Sequence, residues 1–471
     1  MTTLDAPPGG TAVPTGAGVW APGRRRLTTG LVLTITLVAF ESLAIATVMP
    51  TVEDDIGGRA LYGWVFSGFF LASLAGIVVT GILTDRRGPR LPFAAGLVLF
   101  SIGLVVGGVA PSMPILVLGR LAQGFGAGAI PASAYASVAR GYPAAIRPRV
   151  FAVFSTAWVI PGITGPTIAT FVEEAATWHW VFLGLLPLVA IAAVIAVPAL
   201  GALDRVVAAD GLDGAGDRRR LVRVGLLVLG VGLVLAGATA ASPLLTLGLV
   251  AVGLPVAVPA FLRLVPVGTT RLRSGLPAIV AVRGLLTWAF FGADAYVSLA
   301  ATEGRGGSTR IAGAALSVCA VLWTCGSWAT ERLLGRLGPR TLDRIGFGLI
   351  AAGATGMLAT ALWLSAWWAL PAWGIGGLGM GLAYSPLSVS TLGAADPGRE
   401  GQATASLQLC DTLGVSLGTG AGGALIALAD ARGWASSTGV ALAFGLGLGV
   451  AVLGLLAAAR LPHRVPGTEP V

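Results

Sequence analysis

Gly81-Ile82-Leu83-Thr84-Asp85-Arg86-Arg87-Gly88-Pro89-Arg90 carries four charges in ten residues and joins two runs, 61–84 and 91–110, that carry none. At about 1.5 Å per helical residue, each run is long enough to cross a hydrocarbon core of about 30 Å. The stretch therefore reads as a charged turn between two membrane spans. The rest of the chain agrees. Of its 471 residues 55% are hydrophobic and 11% charged, with a mean hydropathy of +0.86. Soluble chains carry about 25% charged residues, and no soluble core of this size hides so much apolar surface. A soluble enzyme, a disordered chain and a disulfide scaffold are excluded, which leaves an all-α polytopic membrane protein. The 70 glycines follow no collagen period and fit close helix packing. Cys319, Cys325 and Cys410 lie inside apolar runs and read as small packing residues.

Outward from this turn, apolar runs occur at 28–50, 61–84, 91–110, 114–139, 149–172 and 178–200. A polar stretch from Asp204 to Arg223 follows, then an apolar block at 224–265 long enough for two helices turning near Ala241-Ser242-Pro243. Six further runs lie at 277–301, 311–333, 343–363, 367–393, 402–429 and 435–460. Fourteen transmembrane helices are expected. They divide the chain into a disordered cytoplasmic tail (1–27), an N-terminal six-helix bundle (28–200), a cytoplasmic linker with an inserted two-helix hairpin (201–276), a C-terminal six-helix bundle (277–461) and a C-terminal tail (462–471). The tail at 1–27 shows no signal-peptide pattern.

All 30 basic residues are arginine. With the N-terminus in the cytoplasm, twenty-four of them fall on the cytoplasmic side and four, Arg59, Arg305, Arg310 and Arg432, outside. Arg120 and Arg283 lie within spans. Positive loops stay in the cytoplasm, so both termini are placed there. The net charge of +9 is then a topology signal rather than a nucleic-acid surface.

The chain repeats itself. Gly88-Pro89-Arg90 recurs as Gly338-Pro339-Arg340, Gly124-x-Gly126-x-Gly128 as Gly377-x-Gly379-x-Gly381, and Gly165 as Gly418, at offsets of 250, 253 and 253. The first six spans thus reappear as the last six, a recurring transporter plan.

The quoted turn resembles the loop signature of the major facilitator superfamily, with Pro89 where a basic residue is usual and Arg90 where lysine is usual. Physically, Asp85 sits among arginines at a helix end, able to pair with a basic group or cap a neighbouring helix. Gly81, Asp85, Arg86, Gly88 and Arg90 are the expected conformational latch. Leu116-x3-Arg120-x2-Gln123-Gly124 resembles the fourth-helix signature, and the resemblance implies that Arg120 takes part in proton coupling. The alternative is an arginine snorkelling to the surface. Pro161-Gly162-x2-Gly165-Pro166 resembles part of an antiporter signature associated with exporters. Its counterpart, Gly414-x3-Gly418-Thr419-x2-Gly422-Gly423, keeps four glycines. Glycine lets helices touch, and Pro-Gly gives a bend. Gly162, Gly165, Pro166, Gly414 and Gly418 are the expected packing motif. Ordinary helix packing explains the same residues.

Three acids lie deep within spans: Glu41, Asp294 and Asp411. Intramembrane carboxyls are expensive and mark proton relays or substrate paths. Removing one from water disfavours its charged form, so it can take a proton on one side and release it on the other. A structural partnership with Arg120 or Arg283 is the alternative. With Arg120 these are the expected coupling residues. Trp64, Trp158, Trp288, Phe291 and Tyr296 are expected to line a cavity suited to lipophilic, cationic ligands, or else to meet lipid.

Gly374-x-Gly376-x2-Gly379 and Gly418-x-Gly420-x2-Gly423 match a nucleotide-binding pattern but lie inside spans without a βαβ context. His179 and His463 are isolated, so no metal site is expected, and no cofactor other than an ion gradient. The whole pattern resembles the fourteen-helix drug/proton antiporter branch. It implies a multi-pass protein of the bacterial cytoplasmic membrane, monomeric, whose partners are protons, lipid and a small lipophilic substrate exported by alternating access. A proton-coupled nutrient importer and a non-transporting membrane sensor or lipid-handling protein are the alternatives. No nucleophile–base pair suggests an enzyme.

Overall fold

The apolar runs become helices, as an all-apolar segment in lipid must to satisfy its own backbone. The computed structural model describes residues 18–142, 146–203, 214–240, 242–303, 306–395 and 400–463. Their α-helices are α1 (Arg25–Ile56), α2 (Tyr62–Arg87), α3 (Arg90–Gly108), α4 (Met113–Gly141), α5 (Arg147–Ala175), α6 (His179–Leu183), α7 (Leu186–Gly201), α8 (Gly214–Ala238), α9 (Pro243–Leu262), α10 (Leu276–Asp294), α11 (Val297–Glu303), α12 (Thr309–Leu362), α13 (Ala369–Ala394), α14 (Glu400–Ala431) and α15 (Ser436–Ala457). Among the described residues twelve spans are long and apolar enough to cross a membrane. Helices α5 and α13, of 29 and 26 residues, also have spanning length, which is compatible with fourteen crossings.

Three differences from the sequence reading have local causes. The run at 178–200 breaks into α6 and α7, where Pro187 occupies the first turn of α7. The run at 277–301 breaks between Asp294 and Val297 into α10 and α11. Helix α12 is two spans joined through Gly338, whose φ of 73° and ψ of 164° leave the helical region. Of the tail expected at 1–27, residues 1–17 lie outside the described residues. Residues after them form turns, Val19 is buried, and α1 already begins at Arg25. The first half of the polar linker, 204–213, also lies outside the described residues.

Helices α1 to α7 pack on one another, as do α10 to α15; the bundles meet along α2 with α14 and α5 with α12. The hairpin α8–α9 packs chiefly on itself and touches α2 and α14 through α8. Only 17% of the apolar window of α9 is buried, against 72% for α14, so the hairpin stands at the periphery.

The internal repeat recurs in the backbone. Gly88 ends α2 with φ 82° and ψ 170°, nearly the Gly338 conformation, in a region that favours glycine. A Cβ on Gly124 or Gly128 would strike the backbone of Phe69 or Ser73 on α2; one on Gly126 would strike Gly96 on α3. In the second half Gly377 and Gly381 meet Cys319 and Trp323 of α12, and Gly379 meets Gly346 beyond the kink. Each triplet therefore lets one helix lie against two neighbours at backbone distance, twice over. The arginine after each hinge reaches the end of its bundle's last helix. The Arg90 side chain lies against Gly201 at the end of α7, and Arg340 Nε donates to Leu461 O, 2.7 Å, just past α15.

Candidate functional site

Each bundle buries one arginine–carboxylate pair. In the first, Arg120 of α4 is 2% exposed and Glu41 of α1 is fully buried. Arg120 Nη1 donates to Glu41 Oε1 and, at 3.1 Å, to Gln123 Oε1; Arg120 Nε donates to Val65 O, also 3.1 Å. Gln123 Nε2 donates to the same Glu41 oxygen, 3.1 Å. The guanidinium lies 4.2 Å from the centroid of the Phe69 ring, a cation–π contact. Arg120 thus does not snorkel: its charge is spent inside the bundle. Glu41 Oε2, by contrast, is buried without a hydrogen-bond partner among the described residues.

In the second bundle Arg283 of α10 donates to Asp411 Oδ1 of α14, 2.6 Å, and to Tyr384 O of α13, 2.7 Å. Its guanidinium lies 3.1 Å from the Tyr384 ring centroid. Half-buried Asp294 accepts from Trp373 Nε1 of α13, 2.6 Å. Trp373 is stacked on Phe290, 5.1 Å between centroids, so the tryptophan that holds the acid is itself held. Glu41 therefore points to α4 and Asp294 to α13, each into its own bundle. The sequence reading missed a fourth acid. Asp343 of α12 is fully buried, and neither of its oxygens has a partner among the described residues. One signal was present: at the repeat offset of 250 it stands opposite Phe93, a buried apolar position.

The face opposite the arginine-rich loops is closed. A Cβ on Gly63 of α2 would lie 2.7 Å from Gly423 Cα of α14. Ser416 Oγ donates to Ser67 O, 3.1 Å, along the same seam. Tyr62 and Tyr296 pack at 5.8 Å, and the Tyr296 hydroxyl donates to Thr419 O. Above them Arg59 pairs with Glu303 at 2.6 Å, Asp430 at 3.2 Å and Glu53 at 3.3 Å, and donates to Ser436. One cation ties α1, α11, α14 and α15 together. The second seam, α5 on α12, brings Gly162 against Ala320 and Gly313 against Thr170, and ends in a two-pronged ion pair from Arg310 to Glu174 at 2.7 and 2.9 Å.

The remaining expected residues fall as follows. Gly414 and Gly418 meet the backbone of α10 at Gly284 and Trp288, while Gly165 faces Phe40 of α1 and Pro166 is buried in α5. Trp64 turns to the inserted hairpin, donating to Thr239 Oγ1 just past α8 at 3.2 Å, and Tyr296 is sealed in the closed seam. Half-buried Trp288 and Phe291 remain along α10, Phe291 5.9 Å from Trp323. In the latch, Gly81 has open space beside it and Arg86 is exposed. The side chains of Asp85 and Trp158 lie outside the described residues. Among the described residues no three His, Cys, Asp or Glu side chains gather as a metal site would need.

Known proteins agree with this architecture. The sequence model of the Major Facilitator Superfamily matches residues 31–419. A probable multidrug-efflux transporter of Mycobacterium tuberculosis is 28% identical over 462 residues, covering 93% of this chain and 95% of its own. A multidrug efflux pump of Staphylococcus aureus is 29% identical over 167 residues, 36% of this chain and 37% of its own. In fold, an auto-inhibited peptide transporter of the POT family superposes with a TM-score of 0.67 at 15% identity, covering 95% of this chain and 99% of its own. An inward-facing bacterial homologue of the lysosomal transporter Spinster superposes at 0.60, with 15% identity and 93% and 96% coverage. Two repeated bundles, joined at paired seams and matched over most of their length, define this multi-pass membrane protein: the chain belongs to the major facilitator superfamily.

Proposed function

We propose that this transporter exports lipophilic small molecules from the cytoplasm in exchange for protons, by alternating access. The observation that carries the reading is the buried Glu41–Arg120 pair with its unpartnered Glu41 Oε2. Desolvation works against the charged form of a buried carboxylate, and here one arginine and Gln123 hold a single oxygen of Glu41 against it. A proton arriving at Oε2 cancels the pair, and Arg120 is then left to its neutral partners Gln123 and Val65 O. The change in charge is the event that shifts one conformation against the other. The drug-efflux relatives support the direction of transport and the class of substrate.

With the arginine-rich loops in the cytoplasm, the closed end is the external one, and this conformation loads substrate from inside. The two bundles rock on the α2–α14 and α5–α12 seams, whose glycine contacts allow separation without unfolding either bundle. The C-terminal bundle, with Phe291 and Trp288 half-buried along α10, supplies rings for a cationic, lipophilic ligand.

The test is accumulation of fluorescent lipophilic cations in inverted membrane vesicles, with and without an uncoupler. Wild-type protein should accumulate dye only while the pH gradient lasts, and Glu41→Gln should abolish that accumulation. Uncoupler-insensitive uptake, or wild-type rates in Glu41→Gln, would remove proton coupling through Glu41. Flux in the opposite direction would identify an importer.

A further inference from the structure

We propose that Asp343 is a second proton carrier, protonated in the conformation seen here and discharged towards the arginine-rich face through Arg283. The proposal rests on the proton-coupled reading above and adds to it a site in the other bundle. Burying an ionised carboxylate without hydrogen bonds is so unfavourable that the group takes up a proton instead. Asp343 meets both conditions, with no exposed surface and no partner for either oxygen among the described residues. It lies five residues beyond the Gly338 hinge, about 7–8 Å along the helix at about 1.5 Å per residue. A short rearrangement at the hinge opens it to water on that face.

Among the described residues, helices α13 and α15 and the short turn 458–460, which pack along α12, carry two titratable side chains, Tyr384 and the exposed Arg460. Arg283, on α10, which also packs on α12, is committed here to Asp411 and Tyr384 O. On its own helix Arg344 is exposed, and Arg340 is turned away to Leu461 O, beside His463. One arginine therefore stands among two acids: Asp411 holds it while Asp343 holds a proton. When α14 moves and Asp411 lets go, Arg283 is free to stabilise ionised Asp343. The Asp343 proton then leaves to water on the arginine-rich side. Among the described residues the N-terminal bundle buries one acid, Glu41, with its arginine; the C-terminal bundle buries two, Asp411 and Asp343, and the second gives the charge somewhere to go.

Infrared difference spectroscopy of purified full-length protein, wild type minus Asp343→Asn, reads the protonated state directly. We expect a carbonyl-stretch band of a protonated carboxyl at neutral pH in the wild type that is missing from the variant. Asn reproduces the neutral form, so the variant should fold, bind dye and catalyse dye counterflow, while losing accumulation driven by a pH gradient. Absence of the band from the wild type, failure of Asp343→Asn to fold, or wild-type gradient-driven accumulation by the variant would each overturn the proposal. If the wild type carries the band yet shows no gradient-driven transport, the proton-coupled reading has failed, and with it the carrier role, while the buried proton on Asp343 stands.

Discussion

Gly63→Ala attacks the seam that closes the end opposite the arginine-rich loops. The added methyl carbon would lie 2.7 Å from Gly423 Cα, 2.9 Å from the Tyr296 hydroxyl and 3.0 Å from Thr419 O. Carbon atoms rest at about 3.5–4.0 Å, so α2 and α14 must part by about 0.8–1.3 Å, against backbone that has no rotamer to yield. Overpacking of this kind costs about 1–3 kcal/mol. The cost falls on the closed conformation alone, because the clash disappears once the helices separate. A differential of that size moves a two-state equilibrium about 5- to 150-fold. Ala60 and Ala435 are exposed on the two sides of this end. Spin labels on cysteines at these positions, with Cys319, Cys325 and Cys410 replaced, report the separation by double electron–electron resonance. The expected result is a single short-distance population in the parent and a second, longer one in Gly63→Ala. An unchanged distribution, with the variant as stable as the parent, would refute the assignment of this seam as the gate.

Arg59→Ala leaves Glu53, Glu303 and Asp430 facing one another without their cation. Summing three pairs at about 0.2–1 kcal/mol each, closure should weaken by about 0.6–3 kcal/mol, and the same labels should report more open protein, less so at high salt. Arg120→Met strands Glu41, or forces a proton onto it, and should lower stability by about 3–5 kcal/mol in thermal unfolding. The double variant with Glu41→Met should recover most of that loss while remaining inactive in dye accumulation; a double variant no more stable than the single one would contradict the pairing. Thr239→Val removes the bond from Trp64 and should cost about 0.5–1.5 kcal/mol of stability with dye transport intact. A changed dye preference in Thr239→Val would return Trp64 to the substrate path.

The sequence carried the plan of this fold because its signals were charge and glycine, both conspicuous in an apolar chain. The Gly88-Pro89-Arg90 repeat stands out against uncharged flanks, and in the structure both copies have nearly the same glycine backbone and an arginine that reaches the end of a last helix. Glu41, Asp411 and Asp294 were visible for the same reason. The facing of aromatic residues was not. Helix α2 is apolar around its whole circumference, so no polar stripe says whether Trp64 faces the axis, lipid or α8. Tyr296 follows a helix break that no proline announces. Asp343 was passed over because it occupies the first position of an apolar run, where an acid normally reaches water. What buries it is the packing of other helices on α12, long-range information that no local window contains.

The central claim, that membrane-buried carboxyls exchange protons for cargo, is tested most directly by watching the protons. Purified transporter in sealed vesicles, with a pH-sensitive dye inside and no imposed pH gradient, is given an outward- or inward-directed gradient of a lipophilic cation. The account predicts internal pH changes of opposite sign for the two directions, absent in Glu41→Gln vesicles. Cation flux with no pH change in wild-type vesicles would contradict it.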